Sequence, residues 1–224
     1  QDPRAIAVRG DRLYVLPFES GNQTQLSGGV GPLDGNLKTF DAWDHSIANN
    51  NVLSLGHVVD VVRNPRVPDR YLFVFDCRTD RLLHTVSSLG TLLYGLSVDV
   101  DGTVWVAGTE ARNDVNGRAG SRKHGLLELQ NRPFLNRLTK LRFPDGVPGE
   151  VQHVELEPLP PDQPAAGMAL ATPAAVQVAD NQQYVVAVAS GSDMLFTVHR
   201  ETGAILGRVR VGAVPQGLVL EPAG

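Results

Sequence analysis

Oxygen-bearing side chains cluster in the run Asn113-Asp-Val-Asn-Gly117. Ca2+ is held by several such oxygens on a flexible loop, so Asn113, Asp114 and Asn116 are candidate ligands. The run lacks the further acidic residues of an EF-hand. A tight turn held by side-chain-to-backbone hydrogen bonds uses the same residue types. Arg112, Arg118, Arg122, Lys123 and His124 form a basic cluster around it. Guanidinium groups suit carboxylate or phosphate partners, but these could also pair with Glu110, Asp114 and Glu128 of their own loop. Asp99-Val-Asp-Gly102 also has a Ca2+-like pattern, yet its place between two strand-like runs predicts a hairpin turn.

The histidines are His45, His57, His84, His124, His153 and His199, and none has the close spacing of a zinc site. His84, His153 and His199 fall on strand-like runs, where hydrogen-bonded structural roles are expected. No G-x-S-x-G, H-E-x-x-H or phosphate-loop motif occurs. Cys77 is the only cysteine, which excludes an intrachain disulfide and a C-x-x-C-H haem attachment within this sequence. No cofactor is expected other than Ca2+ at the oxygen-rich loop. Trp43 and His45 are further candidate binding residues in a second loop, which also holds Phe40 and the apolar run Val58–Val62 and could form a lid with an extra strand.

The elements that must position these groups are short strands. The chain of 224 residues is 42% hydrophobic but only 6% aromatic, with 23 glycines and 15 prolines, a turn-rich globular composition. A net charge of −4 gives no general attraction to nucleic acid or acidic lipid, and the apolar runs stop short of a membrane span. One unit returns four times: Pro3–Val8, Leu93–Val98, Pro173–Val178 and Pro215–Leu220. The last interval, from residue 173 to 215, is 42 residues, and the longer ones are that period plus insertions. Short strands at such a period predict a radial repeat.

The expected fold is all-β: a β-propeller fragment of three four-stranded antiparallel blades plus the first strand of a fourth, across residues 1–224. Blade 1 spans 3–86 with an insertion at 19–70, blade 2 spans 93–157 with an insertion at 110–136, blade 3 spans 173–211, and the orphan strand is 215–220. In an antiparallel blade the connections alternate between the two ends. The long segments 19–70, 110–136 and 158–172 therefore all leave the same end, the one where each innermost strand begins. Arg4, Tyr94 and Gln216 occupy equivalent positions there and could line an axial mouth. Tyr14, Trp105 and Val186 are equivalent in the second strand and are expected in the core.

Blade 3 resembles the YVTN repeat of bacterial and archaeal propellers. The pattern runs through Tyr184-Val-Val-Ala, Phe196-Thr-Val-His-Arg-Glu-Thr-Gly203, Val209-Arg-Val-Gly212 and Pro215-Gln-Gly-Leu. Arg12-Leu-Tyr-Val15 and Leu72-Phe-Val-Phe-Asp76 are similar to it in blade 1, whereas blade 2 departs with Thr103-Val-Trp-Val-Ala107. The resemblance implies an exported protein, periplasmic or on the cell surface, with about seven blades. It implies either a non-catalytic binding or scaffold module facing a partner protein, polymer or adjacent domain, or an enzyme part with its site at the axial mouth. The enzymes so implied are lactonase-like or linked to a haem or cytochrome-peroxidase-like domain. A purely structural assembly subunit is a third reading. The expected partners are the remaining blades, from the same longer chain or another subunit, with neither nucleic acid nor a membrane.

Overall fold

The computed structural model of the chain describes residues 2–18, 24–28, 59–63, 69–112, 130 and 132–221. Two compact units are present: Gln1–Ser20 with Asp69–Glu110 and Leu135–Gly224, and Gly21–Pro68 with Ala111–Phe134. The first unit consists of three four-stranded antiparallel sheets. Blade 1 runs β1 (Pro3–Arg9), β2 (Arg12–Pro17), β5 (Leu72–Asp76) and β6 (Leu82–Val86). Blade 2 runs β7 (Leu92–Val98), β8 (Val104–Ala111), β9 (Phe134–Leu141) and β10 (Val151–Glu155). Blade 3 runs β11 (Pro173–Val178), β12 (Tyr184–Ala189), β13 (Met194–His199) and β14 (Ile205–Arg210). In the second unit β3 (Thr24–Gly28) pairs with β4 (Val59–Arg63), close to the extra strand expected at Val58–Val62.

Each blade is a meander, and side chains directly opposite across a pair share a face. In blade 1, Ala7, Tyr14, Val74 and His84 form one row, while Ile6, Val15, Phe73 and Thr85 form a row on the other face. The first face enters a core with Val104, Val106 and Leu141 of blade 2. Blade 2 turns its other face, through Trp105, Ala107 and Leu138, toward Val176, Val185, Phe196 and Val198 of blade 3. Tyr14 and Trp105 thus each point into the following blade and are fully buried, as core residues should be. Val186, in the same register, is buried as expected, on the face of blade 3 turned away from blade 2.

Two sheet faces have no blade against them among the described residues. On blade 1, Ile6 is 68% and Val8 63% exposed, and their row partners Val15, Phe73, Leu13 and Phe75 are half-buried. On blade 3 the corresponding face carries Val209, which is exposed, and Gln177. Leu220 N donates to Gln177 Oε1 at 2.8 Å, so the last described residues are tied to this face. Pro215–Leu220, expected as the first strand of a fourth blade, is extended chain that forms and pairs with no strand among the described residues; Leu218 and Leu220 are half-buried while Val219 is exposed.

The turns follow from local chemistry. In blade 3, His199 N donates to Ala204 O at 2.7 Å, and Gly203 takes φ +73°. In blade 1 the equivalent bond runs from Asp76 N to Arg81 O at 2.9 Å. Asp76 and His199 hold corresponding places and do the same work: Asp76 Oδ1 accepts from the N–H groups of Arg78 and Thr79, and His199 Nδ1 from those of Glu201 and Thr202. Nδ1 of His199 must therefore be unprotonated, which fixes its tautomer. Asp99-Val-Asp-Gly102 is the expected hairpin turn, with Asp99 Oδ1 accepting from Asp101 N at 3.0 Å and Thr103 N at 3.2 Å.

Candidate functional site

The innermost strands share an irregularity. Register shifts lie between Pro3 and Ala5, between Leu93 and Gly95, and between Pro173 and Ala175. The skipped residues are Arg4, Tyr94 and Ala174, so each blade carries a β-bulge at the same position. A bulge leaves one residue out of the ladder and re-aims its side chain. Arg4 and Tyr94 come together around Phe18: the Arg4 guanidinium lies 5.4 Å from the Phe18 ring centroid, and Phe18 and Tyr94 meet edge to face at 5.5 Å. Phe18 is itself pinned, its N–H donating to Asp2 O and its carbonyl accepting from Leu93 N, both at 2.7 Å. Gln216, exposed, has no described contact with this group. The result is a cation over the Phe18 ring, which Tyr94 braces edge to face, at the ends where β1 and β7 begin, an arrangement suited to flat or apolar ligand groups. Phe18 was not among the expected site residues; its place directly after the end of β2, beside the start of β7, is the signal that could have found it.

Arg112 is engaged locally. Its guanidinium donates to Gln130 Oε1 at 3.3 Å and to the Arg132 carbonyl at 3.1 Å, and its N–H to Pro133 O. Trp43, His45, Asn113, Asp114, Asn116, Arg118, Arg122, Lys123 and His124 lie outside the described residues. Among the described residues no group of three His, Cys, Asp or Glu side chains is placed to hold a metal ion.

The opposite end of the blades, where the short turns lie, holds a charged cluster that joins blades 2 and 3. The Asp99 carboxylate is fully buried, and Oδ2 accepts from Arg200 Nε at 3.0 Å and Nη2 at 2.7 Å. Arg200 also bonds Asp101 Oδ2 and, at 3.1 Å, Glu201 Oε1. Lys140 Nζ, itself buried, donates to the Arg200 carbonyl at 2.9 Å and lies 5.4 Å from the Trp105 ring centroid. Arg142 Nη2 reaches Glu201 Oε2 at 2.6 Å. Burial pushes the Asp99 carboxyl above the usual carboxylate range, and its hydrogen bond with Asp101 adds to this. That same bond, with help from Thr103 and Arg200, holds Asp101 below the range. Burial, then the charge of Arg142, lowers the Lys140 ammonium. Sequence patterning left this cluster unseen because its members are 101 residues apart, from Asp99 to Arg200.

His153 is a second titrating element. Thr139 Oγ1 donates to Leu89 O at 3.0 Å, which uses its one proton, so at the 3.1 Å contact between them His153 Nδ1–H must be the donor. The residue is exposed at one edge, yet partial burial of the ring and, second, the Arg137 charge push the imidazole below its ordinary value of 6.5. A base with a lowered folded value binds protons first when unfolded, so it lends stability above that ordinary value and loses it as pH falls through it. The urea midpoint of the wild-type chain is expected to drop between pH 7.5 and 5.5 by more than that of His153→Gln. Equal drops in both chains would show that another group sets the dependence.

No protein-family model matches the chain, and no curated protein matches it. Solved structures do. Hydrazine synthase of Kuenenia stuttgartiensis is similar over 96% of this chain and 64% of its own, at 12% identity and a TM-score of 0.54. A hypothetical selenium-binding protein from Sulfolobus tokodaii is similar over 95% of this chain and 39% of its own, at 10% identity and a TM-score of 0.46. The Dos1 propeller is similar over 94% of this chain and 48% of its own, at 10% identity and a TM-score of 0.40. The chain spans less than two-thirds of the length of each. Three meander sheets stacked face to face, innermost strand beside innermost strand, together with the first of these likenesses, give the fold: the chain is part of a β-propeller.

Proposed function

We propose that the chain is a non-catalytic binding and scaffold section of a larger propeller in an exported bacterial protein. It offers the end of its blades that carries the long insertions to a partner protein, polymer or adjacent domain. The observation that carries this reading is the placement of the connections. The links from β2 to β5, from β8 to β9 and from β10 to β11 are long and leave the strand ends where β1, β7 and β11 begin, whereas the opposite end has short turns. Loops of this length are usually functional. The Arg4–Phe18–Tyr94 group lies at the same strand ends and adds rigid aromatic surface with a cation, a composition common in binding hot spots.

The uncovered faces support the second half of the proposal. A row of Ile6, Val15 and Phe73 beside a row of Val8, Leu13 and Phe75 is an apolar sheet surface of the kind the other blades bury against each other. Further blades, from the same longer protein or another subunit, complete it. Two measurements test the reading. Native mass beside denatured mass of the chain should show added protein mass or self-association, and a cooperatively unfolding particle of one chain's mass overturns the completion by further blades. A partner recovered from the source organism and then purified should bind the chain, and should lose binding when 21–68 is replaced by a short linker. Undiminished binding after that replacement, or turnover of a substrate lost in Tyr94→Ala, overturns the binding role of the insertions.

A further inference from the structure

The internal repeat sets two turn-end sites side by side for comparison. Counting from the start of each innermost strand, Pro3 and Leu93 in sequence numbering, Arg9 of blade 1 stands where Asp99 stands in blade 2. In blade 2 that position is a buried carboxylate taken up by Arg200 of the next blade. In blade 1 it is an arginine, and the strand pairing sets it opposite a second arginine, Arg12. Neither Arg9 nor Arg12 has a carboxylate partner among the described residues. The nearby acids are committed elsewhere, Asp11 to Arg78 and Asp101 to Arg200.

Both arginines line a cleft of about 370 Å³ with Tyr14, Val100, Asp101 and Phe143. The Arg12 guanidinium lies 5.8 Å from the Phe143 ring centroid, and Phe143 is braced edge to face by Tyr14 at 5.9 Å. Gly146, at φ +81°, leaves room for it: a Cβ there would lie 2.7 Å from Arg12 Nη2. The guanidinium is thus stacked and partly buried but lacks the oxyanion that such a planar group binds best. The volume falls in the range of small-molecule sites, and the walls combine apolar surface with two cations and one carboxylate, Asp101, whose charge Arg200 takes up.

We propose that this cleft binds a small organic anion, its carboxylate or phosphate group held by Arg9 and Arg12 and its apolar body against Val100 and Phe143. The external oxyanion does here what Asp99 does between blades 2 and 3. The test titrates the full chain calorimetrically with benzoate and with phenyl phosphate, at ionic strength held constant with chloride, and repeats it with inorganic phosphate. Saturable binding of at least one aromatic anion is expected, weakened about tenfold or more in Arg12→Gln and in Arg9→Gln, the loss of one charged hydrogen bond. Gly146→Ala, which displaces the guanidinium without changing any charge, should weaken it too. Whichever of benzoate and phenyl phosphate binds more tightly identifies the oxyanion. Urea midpoints show that each variant is folded. Absence of saturable binding up to tens of millimolar, unchanged affinity in Arg9→Gln with Arg12→Gln, or inorganic phosphate binding as tightly as phenyl phosphate overturns the proposal.

Discussion

Arg200→Met is expected to destabilise the chain by about 3–5 kcal/mol, because it strands the Asp99 carboxylate in the interface between blades 2 and 3. Arg200 supplies both bonds to Asp99 Oδ2, and the Asp99 side chain is 0% exposed, so water cannot replace them. The methionine keeps the apolar stem, which isolates the charge from the packing. Asp99→Asn combined with Arg200→Met should recover most of the loss, since asparagine keeps the Oδ1 that accepts from Asp101 N and Thr103 N. The other acids that Arg200 touches, Asp101 and Glu201, are half exposed and are solvated when it is gone.

The pH dependence separates this account from a simple packing defect. Burial already raises the Asp99 carboxyl above its ordinary value. An acid whose folded value is raised binds more protons in the native state, so its contribution to stability grows as pH falls through that value. Removing Arg200 removes a group that opposes the rise, so the Arg200→Met deficit should shrink between pH 7 and pH 4.5. Urea unfolding at the two pH values reads this directly. A deficit under 1 kcal/mol at pH 7, or one that is constant with pH, would mean that the charge pair does not lock the two blades. Asp101 and Glu201 run the other way: both are held low, so the stability they lend is present above their ordinary values and lost in acid in both chains.

What was legible in the sequence was whatever the repeat itself encodes. The unit at Pro3, Leu93 and Pro173 located the innermost strands within a residue or two, and the hairpin at Asp99–Gly102 followed from its position between strands. The equivalence of Arg4 and Tyr94 was legible too, though its cause, a bulge shared by the three blades, shows only in the register. Blade 2 was located less closely: its third strand begins at Phe134, three residues inside the insertion expected at 110–136, because polar residues such as Asn136 and Arg137 interrupt the apolar pattern. The contacts between blades were not legible. Arg200 finds Asp99, and Lys140 finds the Arg200 carbonyl, through the stacking of sheets, and nothing local in sequence marks a residue for a partner in the adjacent blade. The same holds for Arg9, whose meaning appears only when it is set against Asp99 in the next repeat.

Gly95→Val should separate blades 2 and 3 at their innermost strands. A Cβ on Gly95 would lie 2.8 Å from Ala174 O and 2.9 Å from Ala175 Cα, both main-chain atoms of β11. A flexible side chain could swing aside at that distance, but a paired strand cannot. The strand β7 or β11 would have to move as a unit, and with it the core that Trp105 and Val176 share. Alanine at this position is expected to cost about 2–3 kcal/mol, at the upper end of core overpacking, and valine more, enough to leave little folded protein at 37 °C. Gly217→Ala provides the comparison, because nothing lies within 4 Å of its added Cβ. Its midpoint should move by less than about 0.5 kcal/mol. The absence of a side chain at residue 95 is therefore a requirement of the close approach of β7 to β11, and not of any unusual backbone angle there. If Gly95→Ala unfolds at the wild-type urea concentration, the innermost strands are not in contact at this depth and the stacking of blades 2 and 3 must be set by their outer strands alone.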